Sequence, residues 1–190
     1  MAVLIKKITG QWCKAGIIDK TDEDIYEYGL DLLIYTIVNI TVILGSAAII
    51  GKMTDSIALL MVILPLQSFG GGYHAKTHLR CFLIMYIGWW AVVFILPFIT
   101  SAVANIMVGT AVVIVYWLAP VAHENVQMSD GQKMKIRVIV RLFVTVGAIL
   151  CAILVRGIHY RFGIAMSAGL GVASLSMTVA HGKNKLIETH

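Results

Sequence analysis

Long uncharged apolar runs alternate along this chain with short polar breaks, and the runs set the elements. Counting His as neutral, residues 32–51, 56–73, 82–122, 142–155 and 162–181 hold no Asp, Glu, Lys or Arg. A bilayer core takes about 20 apolar residues per helix, so such runs predict helices that cross it. The third run is long enough for two, and Pro97, Thr100, Ser101 and Asn105 at its middle favour a turn. The run 142–155 is short, but Arg141 and Arg156 at its ends can snorkel, which predicts a tilted or extended helix. Six spans result. Ahead of them, Leu4, Ile5, Ile8 and Trp12 recur at helical spacing while Lys7, Gln11 and Lys14 take another face, the pattern of a helix lying in the interface on anionic lipid. Thr21 followed by Asp24, with Glu23 and Glu27 near the positive end of the dipole, marks the start of the first membrane helix. The expected fold is an all-α membrane protein of six transmembrane helices. It has a cytosolic-side N-terminal amphipathic helix over residues 1–20, a six-span core over 21–182 and a cytosolic tail over 183–190. A glycine-rich break at Gly70, Gly71 and Gly72 follows the second span.

Composition agrees with this pattern. The 190 residues are 59% hydrophobic and only 13% charged, against about a quarter charged in soluble domains. Nothing is left over for a sizeable soluble domain, so one membrane domain is expected over 1–190. Met1 to Ile5 reach Lys6 and Lys7 too soon for the apolar core of a signal peptide, which predicts a retained, cytosolic N-terminus. The net charge of +5 comes without a basic cluster interleaved with aromatics, so no nucleic-acid partner is expected. Topology accounts for the charge. With the N-terminus inside, all of the 15 Lys and Arg residues except Lys52, Arg156 and Arg161 fall on the cytosolic side, as the positive-inside rule asks. The C-terminus and the loop after the second span are then cytosolic too. No internal repeat supports a transporter of duplicated halves.

That loop holds the candidate chemistry. Cys13, Cys81 and Cys151 show no Cys-x-x-Cys spacing, so neither a disulfide framework nor a metal site is suggested, and no cofactor is expected. Cys151 lies in an apolar run and reads as a small buried hydrophobe, Cys13 as an ordinary thiol in the amphipathic stretch. Cys81 differs, because His74, Lys76, His78 and Arg80 precede it. A thiol attacks a carbonyl as thiolate, which needs an imidazole or a cationic field to lower its pKa from about 8.5. Three glycines in a row permit a helix break and a close approach of backbone amides to a substrate carbonyl, although glycines in membrane helices also serve close packing. On an unbroken helix His74 and Cys81 would stand about 10.5 Å apart, too far for proton transfer, so the segment must bend. Spacing alone favours His78, a helical neighbour of Cys81. No aspartate completes a triad nearby, so a dyad is predicted. Lys76, Arg80 and the cytosolic group Lys133, Lys135, Arg137 and Arg141 could attract an acidic substrate segment, or simply obey topology.

Four segments together resemble one family. They are Glu27-Tyr28-Gly29-Leu30, then Pro65-Leu66-x-Ser68-Phe69-x-Gly71-Gly72-Tyr73-His74-Ala75, then Thr77-His78-Leu79-Arg80-Cys81, and finally Ala119-Pro120. The chain looks like the AgrB-like (accessory gene regulator B) membrane cysteine peptidases, which process peptide precursors of bacterial quorum-sensing signals. The resemblance implies a bacterial cell-membrane peptidase with a catalytic histidine at His74 and the nucleophile at Cys81, which moves His78 to a supporting role. It implies a membrane-bound, AgrD-like precursor peptide as partner and a homodimer as assembly. Gly163, Gly169 and Gly171 with Ala165, Ala168 and Ala173 could pack such a dimer or pack within one chain. The family usually carries arginine where this chain has Gln67, which can donate a hydrogen bond to an oxyanion or hold the loop but brings no charge. Two other classes remain. One is a membrane transporter or export partner for the signal, which the lack of ionisable residues in mid-span disfavours. The other is a thioester acyltransferase using the same Cys81.

Overall fold

The computed structural model describes residues 2–73, 77–121, 129–157 and 159–188. Among the described residues there are seven α-helices and no strand. They are α1 (Ala2–Lys14), α2 (Glu23–Ile49), α3 (Met53–Gly70), α4 (His78–Ile95), α5 (Ser101–Leu118), α6 (Asp130–Leu154) and α7 (Tyr160–Glu188). The last six are long and apolar enough to cross a membrane, and the chain is a multi-pass membrane protein.

Local signals set where the helices begin and end. The α2–α3 corner closes with the paired amide bonds of a Schellman motif, Gly51 N–H to Ala48 O at 3.4 Å and Lys52 N–H to Ala47 O at 2.8 Å. The α4–α5 corner falls where Pro97 and Thr100 predict a turn: a 3-10 turn over Leu96–Phe98, then Thr100 accepting from the Val103 N–H as the α5 cap. α6 is longer than its uncharged run. Ser129 and Gln132 form a capping box, so the helix starts 12 residues before Leu142 and carries Lys133, Lys135 and Arg137 on exposed turns. Likewise α7 continues through Lys183 and Lys185 to Glu188, so the stretch read as a tail from 183 is helical as far as it is described.

α7 is the axis of the bundle. It packs along α3 and α5 and more lightly on α6, and 61% of its most apolar window is buried against 17% for α2 and α4. Small residues make this possible. A Cβ at Gly169 would sit 3.2 Å from the Leu59 carbonyl oxygen of α3, one at Gly163 would crowd Leu154 and Val155, and one at Gly171 would meet Met107 of α5. Ala165, Ala168 and Ala173 are fully buried beside them. The small-residue stripe that could have packed a second copy is therefore spent within the chain. At the far end from the glycine break, buried Asp55 pairs with Arg161 at 3.4 Å and Lys52 at 3.7 Å, joining the starts of α3 and α7.

α4 is held more lightly than any other span. Its main helix neighbour is α2, with little contact to α3. Two side-chain bonds moor it, Tyr86 Oη to Ser46 Oγ at 3.0 Å and Trp89 Nε1–H to Ser56 Oγ at 2.9 Å. α1 lies against the start of α2, with Ile5 and Thr9 buried and Thr9 Oγ1 donating to Glu27 at 3.4 Å, while Leu4 is exposed.

Candidate active site

The site is built around the end of α3. That helix stops at Gly70, and Gly71 turns the chain away with φ 80°, a left-handed conformation that costs a side-chain-bearing residue about 1–3 kcal/mol. At Gly71 space demands glycine as well. A Cβ at Gly70 would run into the Met177 side chain of α7, and one at Gly71 would stand 2.5 Å from the Val121 carbonyl oxygen. Hydrogen bonds then fix the strap. The Val121 N–H donates to Gly70 O at 2.9 Å, and the Tyr73 N–H donates to Ser176 Oγ of α7 at 2.9 Å. Residues 71–73 are thereby clamped between α7 and the segment after α5.

Across from the strap, Thr77 caps α4 by accepting from the Arg80 N–H at 3.4 Å, and the Cys81 N–H donates to Thr77 O at 3.0 Å. Cys81 thus stands in the first turn of α4, partly exposed. It opens into a cavity of about 310 Å³ bounded by α2, α3, α4 and α7. Gln67, Tyr73 and Ser176 share its lining with Cys81. Gln67 also lies against Gly72, whose Cβ would meet Gln67 Cγ at 3.3 Å.

The structure therefore brings Cys81, Gln67, Gly71 and Gly72 into one neighbourhood. His74 and Lys76 lie outside the described residues, as does the side chain of His78. Arg80 is exposed beside the cavity. Lys133, Lys135 and Arg137 stand on α6, which contributes nothing to the lining, and Lys133 pairs with Asp130 at 3.7 Å. Arg141 serves the fold: its guanidinium donates to Tyr116 O at 2.7 Å near the end of α5 and lies over the Tyr116 ring. The other thiols stand elsewhere. Cys151 is buried inside α6, and partial burial, with Glu23 beside it, pushes the Cys13 thiol above its ordinary value.

Ser176 is the residue that sequence reasoning missed. Its partner is 103 positions away, and a serine in an apolar span reads first as a self-bonded helix residue. The one signal was the run Ser174-x-Ser176-x-Thr178, more hydroxyls than α7 needs for packing.

Known proteins bear on the chain as a whole. Protein FsrB of Enterococcus faecalis (strain ATCC 47077 / OG1RF) is 28% identical over 160 residues, a match covering 76% of this chain and 64% of that protein. The chain thus spans a little under two thirds of that relative's length. No solved structure matches it. The family model for accessory gene regulator B matches residues 5–179, and with nearly the whole described bundle inside that match, the chain belongs to the accessory gene regulator B family.

Proposed function

We propose that this protein is a membrane cysteine endopeptidase that removes the C-terminal tail of a quorum-sensing precursor peptide and leaves the signal segment ready to cyclise. The observation that carries the reading is the position of Cys81, a partly exposed thiol at a helix N-terminus, opposite a glycine strap clamped by Ser176 and Val121. Family membership supplies the substrate class. His74, next in sequence after Tyr73, takes the Cys81 proton; the thiolate attacks the scissile carbonyl; the C–N bond breaks as the imidazolium returns the proton to the departing amine. The signal segment is left as a thioester on Cys81. A thiol or hydroxyl within the peptide then attacks that thioester, closing a thiolactone or lactone and releasing the Cys81 sulfur. The exchange needs neither ATP nor metal, and an apolar surround disfavours hydrolysis. Gln67 donates to the oxyanion or holds the strap, with His78 supporting.

The same reading makes 1–190 one peptidase domain in the bacterial cell membrane, with both termini and the site on the cytosolic side. Lys76, Arg80, Lys133, Lys135 and Arg137 attract the acidic tail of the precursor by long-range steering. A homodimer would form on lipid-facing helices, since the small residues of α7 are already buried.

Co-expression with a membrane-anchored precursor, followed by mass spectrometry, tests the proposal. Tail loss with the wild-type chain and none with Cys81→Ala is the expected result. Undiminished processing by Cys81→Ala would refute it, an unchanged precursor that leaves the cell would assign transport, and an added acyl group would assign acyl transfer.

A further inference from the structure

The cavity beneath Cys81 is polar only at its mouth. Gln67, Tyr73, Cys81 and Ser176 sit there, and the Ser176 hydroxyl accepts from the Tyr73 N–H. Below them the walls are Leu59, Ile63, Met85, Val172 and Leu175. At the floor the Trp89 indole N–H is satisfied by Ser56 at 2.9 Å, so its one polar group offers nothing to a guest. A peptide group pushed into this space would lose its water without gaining partners, which costs free energy. A peptide backbone must stay at the mouth, and only an apolar side chain can enter.

The depth suits one long side chain. Cys81, Ile84, Met85, Gly88 and Val92 line the cavity from α4 at the spacing of one helix face, and Gly88 lies two turns, about 10.5 Å, below the thiol. No atom stands within 4 Å of the place a Cβ on Gly88 would take. A helical side chain leans toward the helix N-terminus, so one at 88 would fill the space directly under Cys81.

We infer that this cavity receives the side chain of the residue whose carbonyl Cys81 attacks, that the substrate class is peptides with a long or aromatic apolar residue there, and that the bare Cα of Gly88 sets the size limit. The inference rests on the proposed peptidase reading, and the test separates the two. Full-length protein in nanodiscs is alkylated with N-acetylated chloromethyl ketones of Phe, Ala and Glu, where the Cys81 sulfur displaces chloride to give a thioether. Each rate at Cys81, located by mass spectrometry, is divided by that variant's own rate with iodoacetamide. The Phe reagent is expected to outpace Ala and Glu at least ~10-fold in the wild type, the scale on which apolar pockets discriminate. Gly88→Phe, and Val172→Phe from the α7 wall, should each shrink that ratio to within about 2-fold. Equal Phe and Ala rates in the wild type, or a ratio that survives both substitutions, would overturn the inference. So would N-dodecyl iodoacetamide being the reagent that Gly88→Phe suppresses while the Phe ratio stays put, which would give the cavity to a lipid chain. Should Cys81 show a Phe preference yet react with iodoacetamide no faster than in the unfolded chain, the pocket stands and the peptidase reading falls.

Discussion

A methyl group on Gly71 would meet the Val121 carbonyl oxygen at 2.5 Å in a backbone with φ 80°, so Gly71→Ala must displace either the strap or the segment after α5. The expected cost is about 1–3 kcal/mol, read as a lower melting midpoint in detergent together with loss of precursor processing. Gly72→Ala should be milder, since its nearest neighbours at 3.0 Å and 3.3 Å are side-chain atoms of Ser176 and Gln67 that can yield. Ser176→Ala strips the Tyr73 N–H of its acceptor, at a cost of about 1–3 kcal/mol. Because the lost bond fixes the strap, processing should fall more steeply than the melting midpoint. Cys13 gives a pH prediction. Partial burial, and then Glu23, pushes its thiol above the ordinary range, so iodoacetamide should label it slowly at neutral pH, with the rate climbing as the pH is raised toward the shifted pKa. Glu23→Gln removes the negative neighbour, lowers the thiol's proton affinity and should speed labelling at any fixed pH below it. At this scale the motif around Cys81 was legible in the sequence because its residues are contiguous. Ser176 and Val121 were not, because nothing local to them announces a partner in another span.

Among the elements, the uncharged runs located all six long apolar helices, since an apolar stretch of that length is the direct imprint of the bilayer. The start of α6 escaped the same reading, because its first turns are basic and the run of uncharged residues begins only at Leu142. Ser129 and Gln132 carried the signal in capping-box spacing. Ser129→Ala should therefore cost about 0.5–2 kcal/mol, with faster hydrogen exchange confined to the basic turns around Lys133 and Arg137. α4 behaves differently, for it relies on two polar moorings rather than on broad packing. Trp89→Phe combined with Tyr86→Phe removes both bonds to α2 and α3, and hydrogen exchange along α4 should rise while α7 stays protected.

For the molecule as a whole, orientation is the property the sequence argues and an experiment can check. In a chain freed of its own cysteines, Lys52→Cys should react with a membrane-impermeant maleimide in intact cells, and Lys133→Cys only after the cells are opened. The reverse pattern would put Cys81 on the wrong side for a cytosolic precursor. Arg161→Gln removes the α7 partner of Asp55, whose other partner Lys52 remains. Since the Arg161 side chain is 67% exposed, the loss should be no more than about 1 kcal/mol. The Tyr73–Ser176 bond carries a consequence in time. A chain emerging from the ribosome presents Cys81 early, but the hydroxyl that holds the strap belongs to α7 and arrives about a hundred residues later. On the proposed reading, a chain that has not yet made α7 lacks the clamp on its strap and should not cut.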